Sequence, residues 1–138
     1  MRIFVDSDVV ISSLLSKNGA AYLLLHHSRI TPVISNISVK ELKIVVKRLD
    51  IKEGSLDNLL QKKFKIIKLK RTIKVRDFIG CVKDVNDAHI IAGAKAAKVN
   101  FLITYNIKHF EVEKIKRDFQ IILMSPGNFL QYLRSREN

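Results

Sequence analysis

The 138 residues contain one cysteine, Cys81, so neither an internal disulfide framework nor a cysteine-built zinc cluster is available. The expected state of Cys81 is a buried thiol in a reducing cytosol. With only two prolines and five glycines there is no Pro/Gly-rich linker, and no segment is repeated or of low complexity. No apolar run is long enough to cross a bilayer. The apolar stretch 3–15 follows Arg2 but carries Asp6 and Asp8 in its middle, which breaks the uninterrupted core of a signal peptide. These absences, with 47% apolar residues, exclude a disordered or membrane-spanning chain. The expectation is one soluble, cytoplasmic domain over 1–138 with no membrane partner.

Acidic charge is also scarce. Thirteen Asp and Glu face 25 Lys and Arg, a formal charge of +12, which favours a polyanionic partner. The base is concentrated. Between Lys62 and Arg76 stand eight bases and no acid, among them Lys65, Lys68, Lys70, Arg71, Lys74 and Arg76. A solvated face that only aids solubility is one reading of this tract, and phosphate binding is the stronger one. Arg2 and the Lys108 region are further candidate phosphate contacts.

The chain alternates strands and helices. An apolar, β-branched run predicts a strand over 3–5 and a buried-type run one over 101–104, and strands are also expected over 31–35, with Pro32 near its start, over the basic, apolar-interleaved 64–69, and over 120–124. Helices are expected over 8–15 with Asp8 as cap, 20–27, 38–49, 55–62, from Asp84 or Asn86 to 98, over 112–118, and from Ser125-Pro126 onward. Ser38 and Glu41 have the spacing of a capping box. Such alternation implies a mostly parallel sheet covered on both faces, with ligands at the carboxyl ends of its strands.

The few acids are placed at those ends. Asp6 and Asp8 follow the first strand, Glu41 lies one turn into the helix after the second, and Asp84 and Asp87 flank the start of the Ala-rich helix. The strand at 101–104 ends in Thr104-Tyr105-Asn106. Two carboxylates about 4 Å apart repel by on the order of 4 kcal/mol at an effective dielectric of 20, so a fold that gathers them requires a proton or a cation between them. Oxygen ligands suit Mg²⁺ or Mn²⁺. Each acid also has a structural reading: Asp8 and Asp84 as caps, Glu41 and Asp87 as the third residue of a capping box. The joint placement carries the signal.

With these residues assembled, the chain resembles a PIN-domain ribonuclease of the VapC toxin type over almost its whole length. Ile3-Phe4-Val5-Asp6-Ser7-Asp8-Val9 is similar to the family's apolar strand followed by Asp-Thr-Asn-Val, with Ser7 in place of Thr and Asp8 in place of Asn. Ser38-Val39-Lys40-Glu41-Leu42, Asp84-Val85-Asn86-Asp87-Ala88 through Ala92, and Leu102-Ile103-Thr104-Tyr105-Asn106 resemble its second, third and fourth motifs. The resemblance implies a three-layer α/β/α domain and Mg²⁺- or Mn²⁺-dependent endonuclease chemistry on RNA, in which activated water attacks the phosphodiester in line and leaves a 5′-phosphate. It implies Asp6, Glu41 and Asp87 as catalytic metal ligands, Asp84 and Asn106 as additional ligands, and Ser7, Asp8 and Thr104 as supporting residues. It also implies an antitoxin protein and a second copy of the chain as partners. Many relatives carry an acid in the fourth motif, where Asn106 is neutral. His109 stands where others keep a later acid, and it is read as a surface histidine. His89 is read as structural.

Two other readings stay open on the sequence. Asp6-Ser7-Asp8-Val9-Val10 also resembles the opening of the haloacid-dehalogenase phosphatases, where Asp6 would be the nucleophile. That class gives Glu41 and Asp87 no role. The other is a non-catalytic PIN domain that binds RNA or a partner without chemistry.

Overall fold

The computed structural model describes residues 1–70 and 74–137. All five expected strands form: β1 (Arg2–Val5), β2 (Thr31–Ser35), β3 (Lys65–Ile67), β4 (Phe101–Ile103) and β5 (Ile122–Met124). They make one sheet in the order β3-β2-β1-β4-β5, and every pairing is parallel. Parallel neighbours cannot be joined by tight turns, so the chain returns through helices each time. These are α1 (Ser7–Leu15), α2 (Ala20–Leu25), α3 (Asn36–Arg48), α4 (Glu53–Lys63), α5 (Ala88–Ala96), α6 (Val112–Phe119) and α7 (Pro126–Ser135). No helix among the described residues is long and apolar enough to cross a membrane.

The strands alternate their side chains between two cores. Ile3, Val5, Ile34, Phe101 and Ile103 pack with Val9, Val10, Leu24, Leu42, Leu56 and Phe129, from the layer that holds α1–α4 and α7. Phe4, Val33, Leu102 and Leu123 pack on the other face with Ile91, Ala94 and Ile115, from α5 and α6. The result is the expected α/β/α arrangement. Cys81 is buried in the second core, as expected.

Several helix starts differ from the local spacing rules. Asp6, not Asp8, caps α1, by accepting the Ser7 N–H. β2 runs straight into α3, so its last residue, Ser35, is the cap, and its hydroxyl accepts the Ser38 N–H at 3.2 Å. Ser38 therefore lies inside the helix and forms no capping box with Glu41. α5 begins at Ala88, after a 3₁₀ turn (Val85–Asp87) that Asp84 caps. The cap at Ser125 with Pro126 in the first turn is as expected.

The strand order reverses direction at β1. The chain builds outward through β2 and β3, then returns to add β4 and β5 on the other side of β1. The helices that follow β1 and β4 diverge to opposite faces, leaving a crevice at the carboxyl ends of these two strands, where ligands of open parallel sheets bind.

Candidate active site

Asp6 is the first residue beyond β1 and sits in that crevice, 8% exposed. Its backbone N–H donates to Ile103 O at 3.0 Å, which fixes it against the end of β4. Its Oδ1 accepts the Ser7 N–H at 2.7 Å, and its Oδ2 accepts the Thr104 hydroxyl at 2.9 Å. Thr104 is fully buried, and its oxygen in turn accepts the Asn106 N–H at 3.0 Å. A relay of Asn106 N–H, Thr104 hydroxyl and Asp6 carboxylate is therefore aligned in one direction. Burial above all, and then the charge of Asp8 beside it, push the Asp6 carboxyl up to about 7, against the pull of its two donors. Asp87 adds to the upward push.

Asp8 reaches the same strand end. Its Oδ2 accepts the Tyr105 N–H at 3.0 Å and lies 3.4 Å from the Thr104 hydroxyl. Burial raises its carboxyl, opposed chiefly by the Tyr105 N–H. Its Oδ1 is closed off from solvent and has no hydrogen-bond partner.

The second half of the crevice comes from α3 and the start of α5. Glu41 is about half exposed, and its Oε1 lies 3.0 Å from Nε2 of the buried His89. No acceptor stands beside His89 Nδ1, so the ring hydrogen belongs on Nε2, where it donates to Glu41. Asp84 is exposed and holds the Asn86 N–H at 3.0 Å. Partial burial, and then Asp84, raise the Asp87 carboxyl, opposed by His109 and His89. His109 comes close because residues 81–83 pair with 109–111. Val82 and Phe110 form an antiparallel bridge, with bonds from Lys83 N–H to His109 O and from Glu111 N–H to Cys81 O. Thr104 thus supports Asp6 through its hydroxyl, whereas Ser7 does so through its backbone N–H. Asn106 likewise acts through its N–H. Sequence reasoning missed the His89–Glu41 contact, and its one available signal was a histidine two residues after Asp87.

Among the described residues, no three Asp, Glu, His or Cys side chains stand close enough to enclose a metal ion as they are placed. The donor chemistry nevertheless fits a hard divalent cation. The groups are carboxylate oxygens, two of them share one threonine hydroxyl, and the Asp8 Oδ1 is an orphaned buried acceptor.

The basic tract borders this edge at one end. β3 is an outer strand whose carboxyl end lies on the same side as Asp6, and the Leu69 N–H is anchored at 2.9 Å to the Asn36 side chain at the start of α3. Lys65, Lys68, Lys70, Lys74 and Arg76 are exposed, and none is in an ion pair among the described residues. Arg71 lies outside the described residues. Lys62 and Lys63 instead line a cleft of about 450 Å³ between α1, α2 and α4 that contains none of the acids. Arg2 opens β1, about 13 Å of strand away from Asp6 on the opposite edge, so it is not placed for a phosphate held at the acids.

Residues 2–108 match the family described as the PIN domain. Among the solved structures that share the fold are two at 21–22% identity. One is VapBC2 from Rickettsia felis bound to a DNA fragment from their promoter, with 22% identity, a TM-score of 0.63, and coverage of 91% of this chain and 98% of that one. The other is a toxin-antitoxin complex from Klebsiella pneumoniae, with 21% identity, a TM-score of 0.68, and coverage of 90% and 97%. No curated protein matches.

Proposed function

The chain belongs to the PIN-domain family, and from that premise we propose that it is a metal-dependent endoribonuclease that cleaves RNA at the carboxyl edge of its sheet, as the toxin of a toxin-antitoxin pair. The observation that carries this reading is the buried Asp6, held by Thr104 beside a second carboxylate at the strand-order reversal. Asp6, Glu41 and Asp87 are the proposed catalytic carboxylates, and with Asp84 and Asn106 they form the proposed ligand set for Mg²⁺ or Mn²⁺. Such an ion supplies charge neutralisation at the scissile phosphate and activation of water. The protein's own part is orientation. Thr104 and the Ser7 N–H fix the two oxygens of Asp6, and His89 fixes Glu41.

Lys65, Lys68, Lys70, Arg71, Lys74 and Arg76 are the proposed anchors for the RNA backbone, which position the strand without choosing its sequence. The expected result for Lys68→Ala/Lys70→Ala is weaker RNA binding. The salt dependence of binding should fall by roughly 0.7 in log–log slope for each phosphate no longer neutralised, and the melting temperature should not change. A filter-binding salt titration measures both affinity and slope, and an unchanged slope would remove these two lysines from the interface.

The proposed partners are RNA, an antitoxin protein and a second copy of the chain, and the proposed place of action is the cytoplasm. The antitoxin is suggested by the two fold neighbours, one a VapBC assembly and the other a toxin-antitoxin complex. The neutral Asn106 favours a second reading, in which the domain binds RNA or a partner without cutting. Incubating the antitoxin-free chain with labelled single-stranded RNA separates the two. The nuclease reading expects fragments bearing 5′-phosphates in Mn²⁺ and none in EDTA. Bound but intact RNA in Mn²⁺ is the outcome of the second.

A further inference from the structure

We propose that the RNA strand engaged at the acids continues over α5 to the amino edge of the sheet, where Lys98, Arg2 and Arg136 form a second site for its phosphates. The inference rests on the RNA-cleaving reading above for its ligand, and it adds a path for a substrate longer than the cleaved segment.

α5 supplies the direction. Asp87 stands at its start, and the helix runs from there to Ala96, a rise of about 13 Å. Its far end is basic. Lys95 and Lys98 share a cleft of about 310 Å³ with Lys74 from the basic tract, and Asp77 is the acid among its lining residues. Lys98 also lines a second cleft, of about 400 Å³, with Arg2 and Arg136, and no acid lines that one. Lys74 thus joins the proposed RNA anchors to the first cleft, and Lys98 joins the first cleft to the second. Arg2, too far from Asp6 for a phosphate held at the acids, has a place on this path.

The charges on the path are held without being neutralised. The Lys95 ammonium stands 5.1 Å from the centroid of the Phe119 ring and 5.7 Å from that of Phe78. Arg136 donates from Nη1 to the Tyr132 hydroxyl at 2.7 Å, and its guanidinium lies 5.6 Å from the centroid of the same ring. Tyr132 is itself packed on Phe101 and Phe129. Aromatic faces orient these two cations and leave them their full positive charge. Among the described residues none of Arg2, Lys74, Lys95, Lys98 and Arg136 is in an ion pair, and the exposed Glu137 beside Arg136 is in none either.

The chemistry that fits is a chain of phosphates. Bases spread over two adjoining clefts match charges repeated along a strand, and guanidinium forks suit phosphate oxygens. A protein partner needs buried apolar anchors. Of the large exposed apolar side chains, only Met1 lies on either cleft.

The test is RNA binding by fluorescence anisotropy in EDTA, titrated with salt. It compares wild type, Lys98→Gly/Arg136→Gln and Lys17→Gln/Lys63→Gln. Lys98 has φ 57°, a backbone that suits glycine, so its side chain can be removed without strain. Lys17 and Lys63 are exposed on the cleft between α1, α2 and α4, and their variant removes the same charge elsewhere. Thermal melting establishes that each variant is folded. One single-stranded RNA is long enough to reach both edges of the sheet, and a short one covers the carboxyl edge alone. On the long RNA, Lys98→Gly/Arg136→Gln should lower the log–log salt slope by roughly 0.7 for each phosphate released. On the short RNA its slope should equal that of wild type, and Lys17→Gln/Lys63→Gln should match wild type on both. An unchanged slope on the long RNA would overturn the proposal. The same drop on the short RNA, or in Lys17→Gln/Lys63→Gln, would also overturn it by reducing the effect to net charge. If wild type binds as expected but does not cut RNA in Mn²⁺, the second site stands and the nuclease reading falls. Wild type that does not bind the long RNA would overturn both.

Discussion

Replacing Asp6 by asparagine is expected to lower RNA cleavage by about 10³-fold or more and, at the same time, to make the metal-free protein more stable at pH 8. The loss of rate corresponds to the several kcal/mol of charge stabilisation that a ligand-held cation gives a phosphoryl transition state. The gain in stability follows from the position of Asp6. Its carboxyl is raised from 3.8 to about 7 in the folded chain, chiefly by burial and then by Asp8. Below about pH 4 the group is protonated in both folded and unfolded chains and carries no penalty. As pH rises toward 7 the unfolded chain ionises freely while the folded one resists, so stability falls. Above about 7 the full penalty is present, on the order of a few kcal/mol. Asparagine never ionises, and its N–H₂ group faces the acceptors Thr104 Oγ1 and Asp8. The variant should therefore melt several degrees higher than wild type at pH 8, with the difference vanishing near pH 4. Melting curves in EDTA at the two pH values check this. A variant less stable at pH 8 would mean that the Asp6 charge is satisfied within the protein. Function placed at a cost in stability is the expected pattern for such a site.

The second large effect concerns the packing that holds α5, and with it Asp87 and His89, against the central strand. Phe4 is fully buried, and a Cβ added to Gly93 would lie 2.5 Å from its ring tip and 2.9 Å from a neighbouring ring carbon. The ring is fully buried in the α5–α6 core, so its retreat would displace neighbouring side chains. Gly93→Ala is therefore expected to destabilise by about 1–3 kcal/mol through overpacking, despite alanine's better helix propensity. Phe4→Ala should cost about 3–5 kcal/mol through the cavity it leaves. In the background of Phe4→Leu, which shortens the side chain at the point of closest approach, Gly93→Ala should cost much less. Urea denaturation of wild type, the two single variants and the double variant measures the coupling. Additive costs would mean that the Gly93–Phe4 approach is not what selects glycine there.

The sheet was legible in the sequence because its signal is local. Ile3-Phe4-Val5 and Pro32 to Ser35 are buried on both faces; the first reads as a continuous apolar run and the second as Val33-Ile34 behind a proline, and the strands form at those positions. Helix boundaries were less legible. Ser38 and Glu41 satisfy a spacing rule, but β2 enters α3 without a loop, so Ser35 takes the cap first. The turns that follow α3, α5 and α6 place Asp50, Lys98 and Gln120 in the left-handed region, where a glycine would have marked the stop. At the candidate site, the acids could be proposed from their positions after strands and at helix starts. Their interactions could not. Thr104 meets Asp6 across 98 residues and His89 meets Glu41 across 48, and no spacing rule reaches that far. Asp8 read as a cap because it opens an apolar helix, and only the folded chain joins it to Tyr105.

If the carboxyl edge of this sheet is a divalent-cation site used for cleavage, Mn²⁺ should bind there and depend on Asp87. Calorimetric titration of Mn²⁺ into wild type and Asp87→Asn is the decisive comparison, because Asp87 is partly exposed and its removal disturbs neither the Asp6–Thr104 bond nor the core. The expected result is saturable binding to wild type that is lost in Asp87→Asn, with RNA cleavage lost alongside it. Identical titrations for the two proteins, or no binding to wild type at millimolar Mn²⁺, would contradict the assignment of this edge.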